Sequence, residues 1–378
     1  MKLAVIDSVF GGTDQNREKT IEHLDLWMKN GLKVNIFTSP DGFIFYQKIF
    51  GKSVTIGVLP FASKLNKNLR RSIAFEYVKR CIGTLFFRPN CSFDAAYSIT
   101  SHLSDILVLS KFAKLGIRTY ANFDNFVPPP NIRPGNYFWN LLAFGAFKIT
   151  LSKIKNIDCI FAYLIEDNYA RLCTYLKSSN VLVERFDNGL DIDLIRSAEK
   201  LLITYDLLYL GRMHQAKGIF DFIGLVQMLL AKKANLKVAI AGSGDLKTLR
   251  TVTDQIKKSG LENVISTFGF VGTSKKYSLM RSSRFFIAPT YDDSYPVSII
   301  EAYVSGCSII SYDLPIYKAK PFCDFNIAIS KMGDINGLYY LTMSRLRSEN
   351  DYENLNFEAI PTYKKNAEKE MGLFLSNL

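Results

Sequence analysis

The 378-residue sequence is poor in metal-binding residues: it has three histidines, and its six cysteines are scattered without a Cys-x-x-Cys pair. Because a structural zinc site needs several such ligands at short spacing, we expect no metal site and mostly buried, reduced thiols. The sequence also lacks a run of about 18 or more apolar residues, the length that a membrane-spanning helix requires. Met1 leads directly into the strand-like run KLAVIDSVF rather than into a secretory leader, so we expect a cytoplasmic protein.

Acidic residues are outnumbered by basic ones, and the net charge of +12 is distributed unevenly. Residues 1–190 contain 24 Lys and Arg against 15 Asp and Glu, a difference of +9, and residues 191–378 contain 23 against 20, a difference of +3. A cationic surface on the first half would attract an anionic partner such as a membrane or a polyanion.

The most basic part of the first half, residues 63–80, has the pattern of an amphipathic helix. Leu65, Leu69, Ile73 and Tyr77 fall on one side of a helical wheel, and lysines and arginines fall on the other. Such a helix can bind anionic lipid, which would make the protein peripheral on the inner face of the membrane. The alternative is a helix packed on the core with a solvated basic face. No nucleic acid partner is expected.

The chain is longer than the roughly 250–300 residues at which one hydrophobic core stops growing, so we expect two domains. Apolar strand-like runs alternate with helical patterns in both halves, which is typical of parallel sheets wrapped by helices. The predicted strands are residues 2–7, 33–38, 53–59, 95–100, 117–123, 205–212, 237–242, 264–271, 284–289 and 308–313. The turn dipeptide Asn188-Gly189 separates the halves, so we predict an α/β protein with domains at 1–188 and 189–361. A C-terminal helix at about 362–378 is expected to pack back on the first domain.

Ligands of open parallel sheets bind outside the carboxyl ends of the strands, so the strand exits of the second half are informative. In GRMHQAKG, Arg212 leaves one strand and Lys217 follows five residues later, next to a glycine. Two cations beside small residues could hold a diphosphate. The alternative is that both are solvated loop charges.

Two further exits carry weaker signals. Gly242 begins a Gly-x-Gly that could present backbone amides to an anion, or could serve only a tight turn. Phe270 and Val271, in TFGFVG, could hold an aromatic base by stacking and main-chain hydrogen bonds, or could pack in the core.

The last exit is the loop TYDDSYP, which delivers the chain to a helix beginning near Val297 or Ser298. Asp293 lies on the loop and Glu301 lies eight residues later, so two carboxylates could accept hydrogen bonds from two sugar rings. Backbone amides at the helix start, around Ser298, would face a phosphate. The alternative makes Asp293 a turn residue and Glu301 an acid favoured by the helix dipole.

Together these motifs resemble glycosyltransferase family 4, a large retaining group with the GT-B fold. The matching elements follow the family's order: GRMHQAKG, AGSGD, FGFV, and an acid-x7-Glu that runs into EAYVSGCSII. FDNGLDID resembles the family's segment at the domain junction, and Gly11-Gly12 resembles its glycine turn after the first strand. The resemblance covers about residues 180–315 and extends more loosely, by topology, over 1–125. It implies two facing, doubly wound Rossmann-like domains with a cleft between them, the first for the acceptor and the second for a nucleotide sugar.

The resemblance implies roles for individual residues. Arg212 and Lys217 would bind the diphosphate of the nucleotide, and Glu301 would hold the ribose hydroxyls. Asp293 would contact the donor sugar; the family usually has Glu there, so the shorter side chain puts the donor sugar or its pose in question.

The remaining donor contacts follow from the same resemblance. Phe270 and Val271 would lie at the base, and Gly242 and Ser298 would contribute to donor binding. Gly11 and Gly12 would approach the phosphates from the first domain.

The family's first-domain histidine has no counterpart in RTYANFDNFVPPP. Asn122 and Asp124 are the nearest polar candidates on the acceptor side. His102, after a neighbouring strand, is a third candidate, although a capping or packing role fits it equally well.

The sequence therefore predicts a hexosyltransferase that moves a sugar from a nucleotide-diphosphate sugar to a saccharide or lipid-linked acceptor in polysaccharide or glycolipid biosynthesis. The resemblance implies retention at the anomeric carbon. Independence of metals and other cofactors is expected, because fixed cations can stabilise the leaving diphosphate. Two alternatives remain: a sugar-nucleotide epimerase on the same scaffold, and a non-catalytic protein that binds membrane or polyanion. The nucleotide, sugar, acceptor and linkage are not specified by the sequence.

Overall fold

The chain forms two compact units. The first unit consists of residues 1–189 and 363–378, and the second consists of residues 190–362. A computed structural model describes residues 1–8, 18–60, 62, 70–90, 92–131, 137–232, 235–293, 295–347, 357 and 360–376. Gly11, Gly12 and residues 63–69 of the basic segment therefore lie outside the described residues. Within the described ranges, no helix has both the length and the apolar character needed to cross a bilayer.

The first unit contains a parallel sheet. Its described strands are β1 (Lys2–Asp7), β2 (Lys33–Thr38), β3 (Thr55–Val58), β4 (Ala95–Ser98), β5 (Arg118–Phe123), β6 (Cys159–Ala162) and β7 (Leu182–Arg185). They pair in the order β3-β2-β1-β4-β5-β6-β7, so the direction of winding reverses between β1 and β4.

The second unit contains a separate parallel sheet. Its described strands are β8 (Tyr205–Leu210), β9 (Val238–Ala241), β10 (Ile265–Thr267), β11 (Ser283–Ala288), β12 (Ser308–Tyr312) and β13 (Ile327–Ser330). They pair in the order β10-β9-β8-β11-β12-β13, and the winding reverses between β8 and β11.

Helices connect the strands in both units. The described helices are α1 (Glu18–Lys29), α2 (Pro40–Phe50), α3 (Arg70–Gly83), α4 (Leu103–Ala113), α5 (Tyr137–Ile154), α6 (Glu166–Leu176), α7 (Ile192–Ser197), α8 (Ile219–Leu230), α9 (Leu246–Lys258), α10 (Thr273–Arg281), α11 (Val297–Val304), α12 (Ile335–Arg347) and α13 (Tyr363–Ser376). Helices α1–α6 and α13 belong to the first unit, and α7–α12 belong to the second.

The central strands explain why each sheet is covered on both faces. Along β1, Leu3 and Val5 belong to one buried cluster, whereas Ala4 and Ile6 belong to another, because successive side chains of a strand point to opposite faces. All four are fully buried. Burial of one Val, Leu or Ile side chain contributes about 1.5–3 kcal/mol, so such apolar strands favour a sheet enclosed by helices.

Helix α13 covers one face of the first sheet together with α1. The Trp27 indole on α1 packs against Phe374 on α13, with 5.1 Å between the ring centroids, and its Nε1 donates a hydrogen bond to Ala367 O at 2.9 Å. The last described helix is therefore a structural part of the first unit, although the whole second unit precedes it in the sequence.

Candidate functional site

The loops that leave β8 and β11 begin where the winding of the second sheet reverses. A crevice at the carboxyl edge of the sheet is expected there. Lys217, on the loop after β8, places its Nζ 2.8 Å from Asp293 Oδ2 and 2.8 Å from Asp292 O, both on the loop after β11. The structure thus brings together two of the residues that the sequence singles out.

Gly218 allows these two loops to touch. Its φ of +68° lies in the left-handed region, and a Cβ at this position would lie 1.8 Å from Pro289 O. Tyr291 N also donates a hydrogen bond to Ala216 O at 2.9 Å. A side chain at position 218 would push the loops apart, so the Lys-Gly pair in the sequence has a steric reason.

The exit of β9 packs against the exit of β8 in the same way. Gly242 has a φ of +146°, and a Cβ there would lie 1.8 Å from Gly211 O. Met213 N donates a hydrogen bond to Ser243 O at 2.8 Å, and Gly242 N donates one to Gly269 O at 2.6 Å. Backbone contacts therefore join the exits of β8, β9 and β10.

Arg212 lies on this connected edge, immediately after Gly211. Its side chain is exposed, and its backbone oxygen accepts a hydrogen bond from the Tyr209 hydroxyl at 3.1 Å. The cation therefore stands on a fixed backbone, and solvent or a ligand can reach it.

The start of α11 lies beyond the same edge. The helix begins after Pro296, which supplies no side-chain cap, and Ser298 is half-buried in its first turn. The amide dipoles at a helix start favour an anion.

The exit of β10 places Phe270 on the surface with 53% of its area exposed, whereas Val271 is half-buried. An exposed ring is available for stacking, so the core-packing alternative does not apply to Phe270.

The Glu301 carboxylate already binds two side chains of α10. It is buried on α11, its Oε1 lies 2.6 Å from Lys276 Nζ, and the Tyr277 hydroxyl donates to the same oxygen at 3.1 Å. A ribose would therefore have to use the other carboxylate oxygen. The sequence analysis missed Lys276, because nothing in the pattern of α10 links it to an acid 25 residues later.

In the first unit, two of the three acceptor-side candidates lie together. Asn122 is buried at the end of β5, and Asp124, directly after this strand, is exposed. Both line a cavity that Lys19 and His23 of α1 also line. His102 does not line it; this residue precedes α4, is exposed, and its side chain makes no capping hydrogen bond.

A buried polar cluster stands behind this cavity. His23 Nδ1 lies 2.7 Å from Glu370 Oε2, and the Tyr163 hydroxyl donates to Glu370 Oε1 at 2.5 Å. Burial alone would raise the pKa of Glu370, but His23, the Lys19 charge and the Tyr163 hydrogen bond hold that pKa below its ordinary value. The sequence analysis missed this pair, since its members are 347 residues apart.

Lys19 completes the cluster. Its Nζ lies 3.0 Å from the centroid of the Tyr163 ring. Desolvation lowers the pKa of Lys19, although Glu370 and Asp124 act in the opposite direction. Across the described parts of both units, no three His, Cys, Asp or Glu side chains are grouped so that they could hold a metal ion.

Comparisons with known proteins find similarity to glycosyltransferases. Residues 194–319 match the family model described as glycosyl transferases group 1. A 2-deoxystreptamine N-acetyl-D-glucosaminyltransferase of Niallia circulans is 26% identical over 167 residues, which are 44% of this chain and 42% of the relative. A GDP-mannose:cellobiosyl-diphosphopolyprenol alpha-mannosyltransferase of Xanthomonas campestris is 22% identical over 129 residues, 34% of each chain. The chain thus spans less than half the length of the curated relatives it matches.

Solved structures match over the whole chain. HepE of Anabaena, in complex with UDP and glucose, has a TM-score of 0.69 at 13% identity, with 100% of both chains covered. Sucrose-phosphate synthase of Thermosynechococcus elongatus has a TM-score of 0.68 at 12% identity, with 99% of this chain and 98% of that chain covered. These likenesses confirm the predicted α/β GT-B fold, and the family match confirms the resemblance to glycosyltransferases. The range matched by the glycosyl transferases group 1 model, residues 194–319, includes Arg212, Lys217, Asp293 and Glu301.

Proposed function

We propose that the protein is a retaining, metal-independent glycosyltransferase that moves a sugar from a nucleotide-diphosphate sugar to a saccharide or lipid-linked saccharide. The observation that carries the proposal is the contact of Lys217 with Asp293 at the β8/β11 reversal; the exposed Arg212 lies on the same exit of β8 as Lys217. A cation for the diphosphate and an acid for the sugar stand next to each other at the position where parallel sheets bind ligands.

The Lys217–Asp293 contact leaves both groups available to a donor. Their side chains are 24% and 25% exposed. Ion pairs open to solvent contribute only about 0–1 kcal/mol, so a diphosphate could recruit Lys217 at small cost. The Lys276–Glu301 pair differs, because both side chains are 9% exposed and breaking a buried pair costs about 3–5 kcal/mol. We therefore propose that Lys217 changes partner when the donor binds, whereas Lys276 keeps Glu301 in place.

The chemistry follows from this arrangement. The bond between the anomeric carbon and the diphosphate oxygen breaks, and its electron pair stays with the diphosphate. Arg212 and Lys217 stabilise that developing negative charge, as preorganised groups do most effectively. Asp293 orients the donor sugar. The acceptor hydroxyl bonds to the anomeric carbon on the same face and gives its proton to the departing diphosphate oxygen. No step requires a metal ion.

The relatives suggest which ligands to test first. HepE was crystallised with UDP and glucose, and the Xanthomonas relative is named for GDP-mannose, so UDP and GDP sugars are the first donors. A deoxystreptamine and a polyprenol-linked saccharide occur in the names of the curated relatives, so a ring polyol and a lipid-linked glycan are the first acceptors.

Calorimetric titration of the purified protein with UDP, GDP and their sugars tests the proposal. We expect one nucleotide to bind with a micromolar dissociation constant, about −8 kcal/mol, equally well in EDTA and in Mg²⁺, since Arg212 and Lys217 supply the positive charge. The anomeric configuration of the product, read by NMR, should equal that of the donor. Failure of both nucleotides to bind, or strict dependence on Mg²⁺ or Mn²⁺, would contradict the proposal.

The first unit also exposes an apolar surface, hereafter the aromatic surface. Helices α3 and α5 both pack against α4. The exposed large apolar side chains described on them, with two residues that follow α3, are Phe75, Val78, Ile82, Leu85, Phe86, Tyr137, Phe138, Trp139, Leu141, Leu142 and Ile149. Arg88, which follows α3, and Lys148, on α5, are exposed cations. Aromatic rings flanked by cations fit the interface of an anionic bilayer, and we propose that the protein docks there.

This surface modifies the sequence-based hypothesis for residues 63–80. Tyr77, expected on the lipid-facing side, accepts a hydrogen bond from Leu103 N at 3.1 Å and so packs towards α4. Among the side chains of α3 that the structure describes, the exposed apolar ones are instead Phe75, Val78 and Ile82, of which Phe75 is 71% exposed.

Vesicle flotation tests the docking. We expect the protein to float with vesicles that contain phosphatidylglycerol and not with phosphatidylcholine alone, because the attraction is partly electrostatic. The double variant Phe138→Asp, Leu141→Asp should sediment, whereas Ile44→Asp, which changes a 54% exposed residue of α2, should float like the wild type. Equal flotation of both variants would show that the aromatic surface does not bind membrane.

A further inference from the structure

The segment that carries Asp293, residues 289–293 and hereafter the Asp293 loop, is attached to the exit of β8 by backbone and by side chain. The Tyr291 amide donates a hydrogen bond to Ala216 O at 2.9 Å, which fixes the backbone near the start of the loop. Further along, Lys217 Nζ lies 2.8 Å from Asp293 Oδ2. This second contact is the one that a sugar donor would break, because its diphosphate would compete for Lys217.

A third contact attaches the same loop without using Lys217. The Tyr291 hydroxyl donates a hydrogen bond to Asp221 Oδ2 at 2.5 Å. Asp221 lies in the first turn of α8, and its Oδ2 also accepts a hydrogen bond from the Tyr312 hydroxyl, at the end of β12, at 2.7 Å. A helix and a strand of the second unit therefore fix the oxygen that receives Tyr291.

The surroundings of Tyr291 favour one orientation of its ring. The ring is 37% exposed, but it packs edge-on against the fully buried Tyr312, with 5.4 Å between the centroids. The hydrogen bond to Asp221 raises the pKa of Tyr291 above its ordinary value of 10.0. The phenol therefore keeps its proton at neutral pH and acts as the donor in this hydrogen bond.

We propose that Asp221 and Tyr291 are positioning residues. Their hydrogen bond holds the Asp293 loop in place while Lys217 binds the diphosphate of the sugar donor. Tyr291 precedes Asp293 by only two residues, so a fixed Tyr291 side chain limits the movement of the carboxylate. A misplacement of about 1 Å at a reacting centre can cost roughly 100-fold in rate. The hold on the loop is a property of the free protein, and its effect on sugar transfer rests on the function proposed above.

Hydrogen–deuterium exchange of the ligand-free protein tests the hold on the loop. The Tyr291 amide is the reporter, because its hydrogen bond to Ala216 O slows exchange while the loop keeps its conformation. Lys217→Ala removes the contact that a diphosphate would compete for. We expect exchange of peptides covering 289–296 to stay close to the wild-type rate in Lys217→Ala. Adding Tyr291→Phe should accelerate it about tenfold, the effect of losing one hydrogen bond.

Two further variants, made in the same Lys217→Ala background, show whether the hydrogen bond is responsible. Tyr312→Phe is the matched control, because it removes a hydroxyl from the same Asp221 oxygen but from β12 instead of the loop, and exchange should not change. Asp221→Ala removes the acceptor. Combined with Tyr291→Phe, it should accelerate exchange no more than either change alone, because both remove one bond. Additive effects, or no acceleration by Tyr291→Phe, would overturn the proposed hold.

The kinetics of sugar transfer test the positioning role. We expect Tyr291→Phe to lower kcat about tenfold. Binding of the nucleotide diphosphate alone, measured by calorimetry, should stay at the wild-type value, because without its sugar it does not reach Asp293. In an Asp293→Ala background, Tyr291→Phe should cause no further loss, since Tyr291 acts through Asp293. Tyr340→Phe, which changes a 70% exposed ring of α12, should leave kcat unchanged.

The two measurements separate the positioning role from the proposed function. If the exchange results are as expected but no nucleotide binds, the proposed function is wrong and the hold on the loop stands. If sugar is transferred while Tyr291→Phe changes neither exchange nor kcat, the positioning role is wrong and the proposed function stands. A change in exchange without a change in kcat would show that the hydrogen bond is structural only.

Discussion

We expect replacement of Arg212 with alanine to lower kcat/KM for sugar transfer by about 100- to 1,000-fold, which is about 2.7–4 kcal/mol of transition-state stabilisation. The reason is that the leaving diphosphate gains charge as the glycosidic bond breaks, and the exposed guanidinium at the β8 exit would meet that charge. Initial-rate kinetics with saturating acceptor and varied donor measure the effect.

Two further variants test whether this loss of activity comes from the charge and geometry of the Arg212 side chain. Arg212→Lys keeps the charge but loses the fork geometry, so we expect an intermediate loss. Arg250→Ala removes an exposed arginine of α9 and should change the rate less than twofold. If Arg212→Ala raised KM with kcat unchanged, the arginine would bind donor and transition state equally, and its catalytic role would be wrong.

The largest expected effect on stability comes from Glu370. Glu370→Ala leaves the fully buried His23 ring and the Tyr163 hydroxyl without their shared carboxylate. Removing one partner of a buried pair typically costs about 3–5 kcal/mol, so we expect the free energy of unfolding of the first unit to fall by that amount. Both tryptophans lie in this unit, so denaturant titration followed by tryptophan fluorescence reports its unfolding.

The pH dependence of this loss provides an internal control. Because the folded state lowers the pKa of Glu370 from its ordinary value of 4.5, the ionised carboxylate stabilises the fold. This contribution is complete above pH 4.5 and disappears as the pH falls through the lower folded value. The difference between wild type and Glu370→Ala should therefore shrink on acidification. A difference that stays constant down to pH 3 would mean that packing, and not charge, is responsible.

Much of the fold could be predicted from the period of the apolar residues. The predicted strands at 2–7 and 33–38 coincide with β1 and β2. The predicted strand at 264–271 is wrong beyond residue 267, because Gly269 adopts a φ of +61° and turns the chain. The sequence analysis did not predict β6, β7 and β13, although it predicted β3, β4 and β9, which have the same length of four residues.

The residues of the candidate site, too, could be predicted only in part from the sequence. Arg212, Lys217 and Asp293 could be named because each follows a strand, and parallel strands bring their carboxyl ends to one edge. The partners of buried acids could not be named, since Lys276 and His23 meet Glu301 and Glu370 only through tertiary packing. No local pattern encodes a contact between residues 23 and 370.

The return of α13 to the first unit has a consequence for synthesis on the ribosome. Residues 190–362 are contiguous and can fold as soon as they emerge, whereas the first unit waits for Phe374 and Glu370. At about 5–20 residues per second, that wait lasts roughly 10–40 seconds after residue 189 has been made. During this interval, the Trp27 face of α1 has no covering helix, so this face is where a nascent chain would recruit a chaperone.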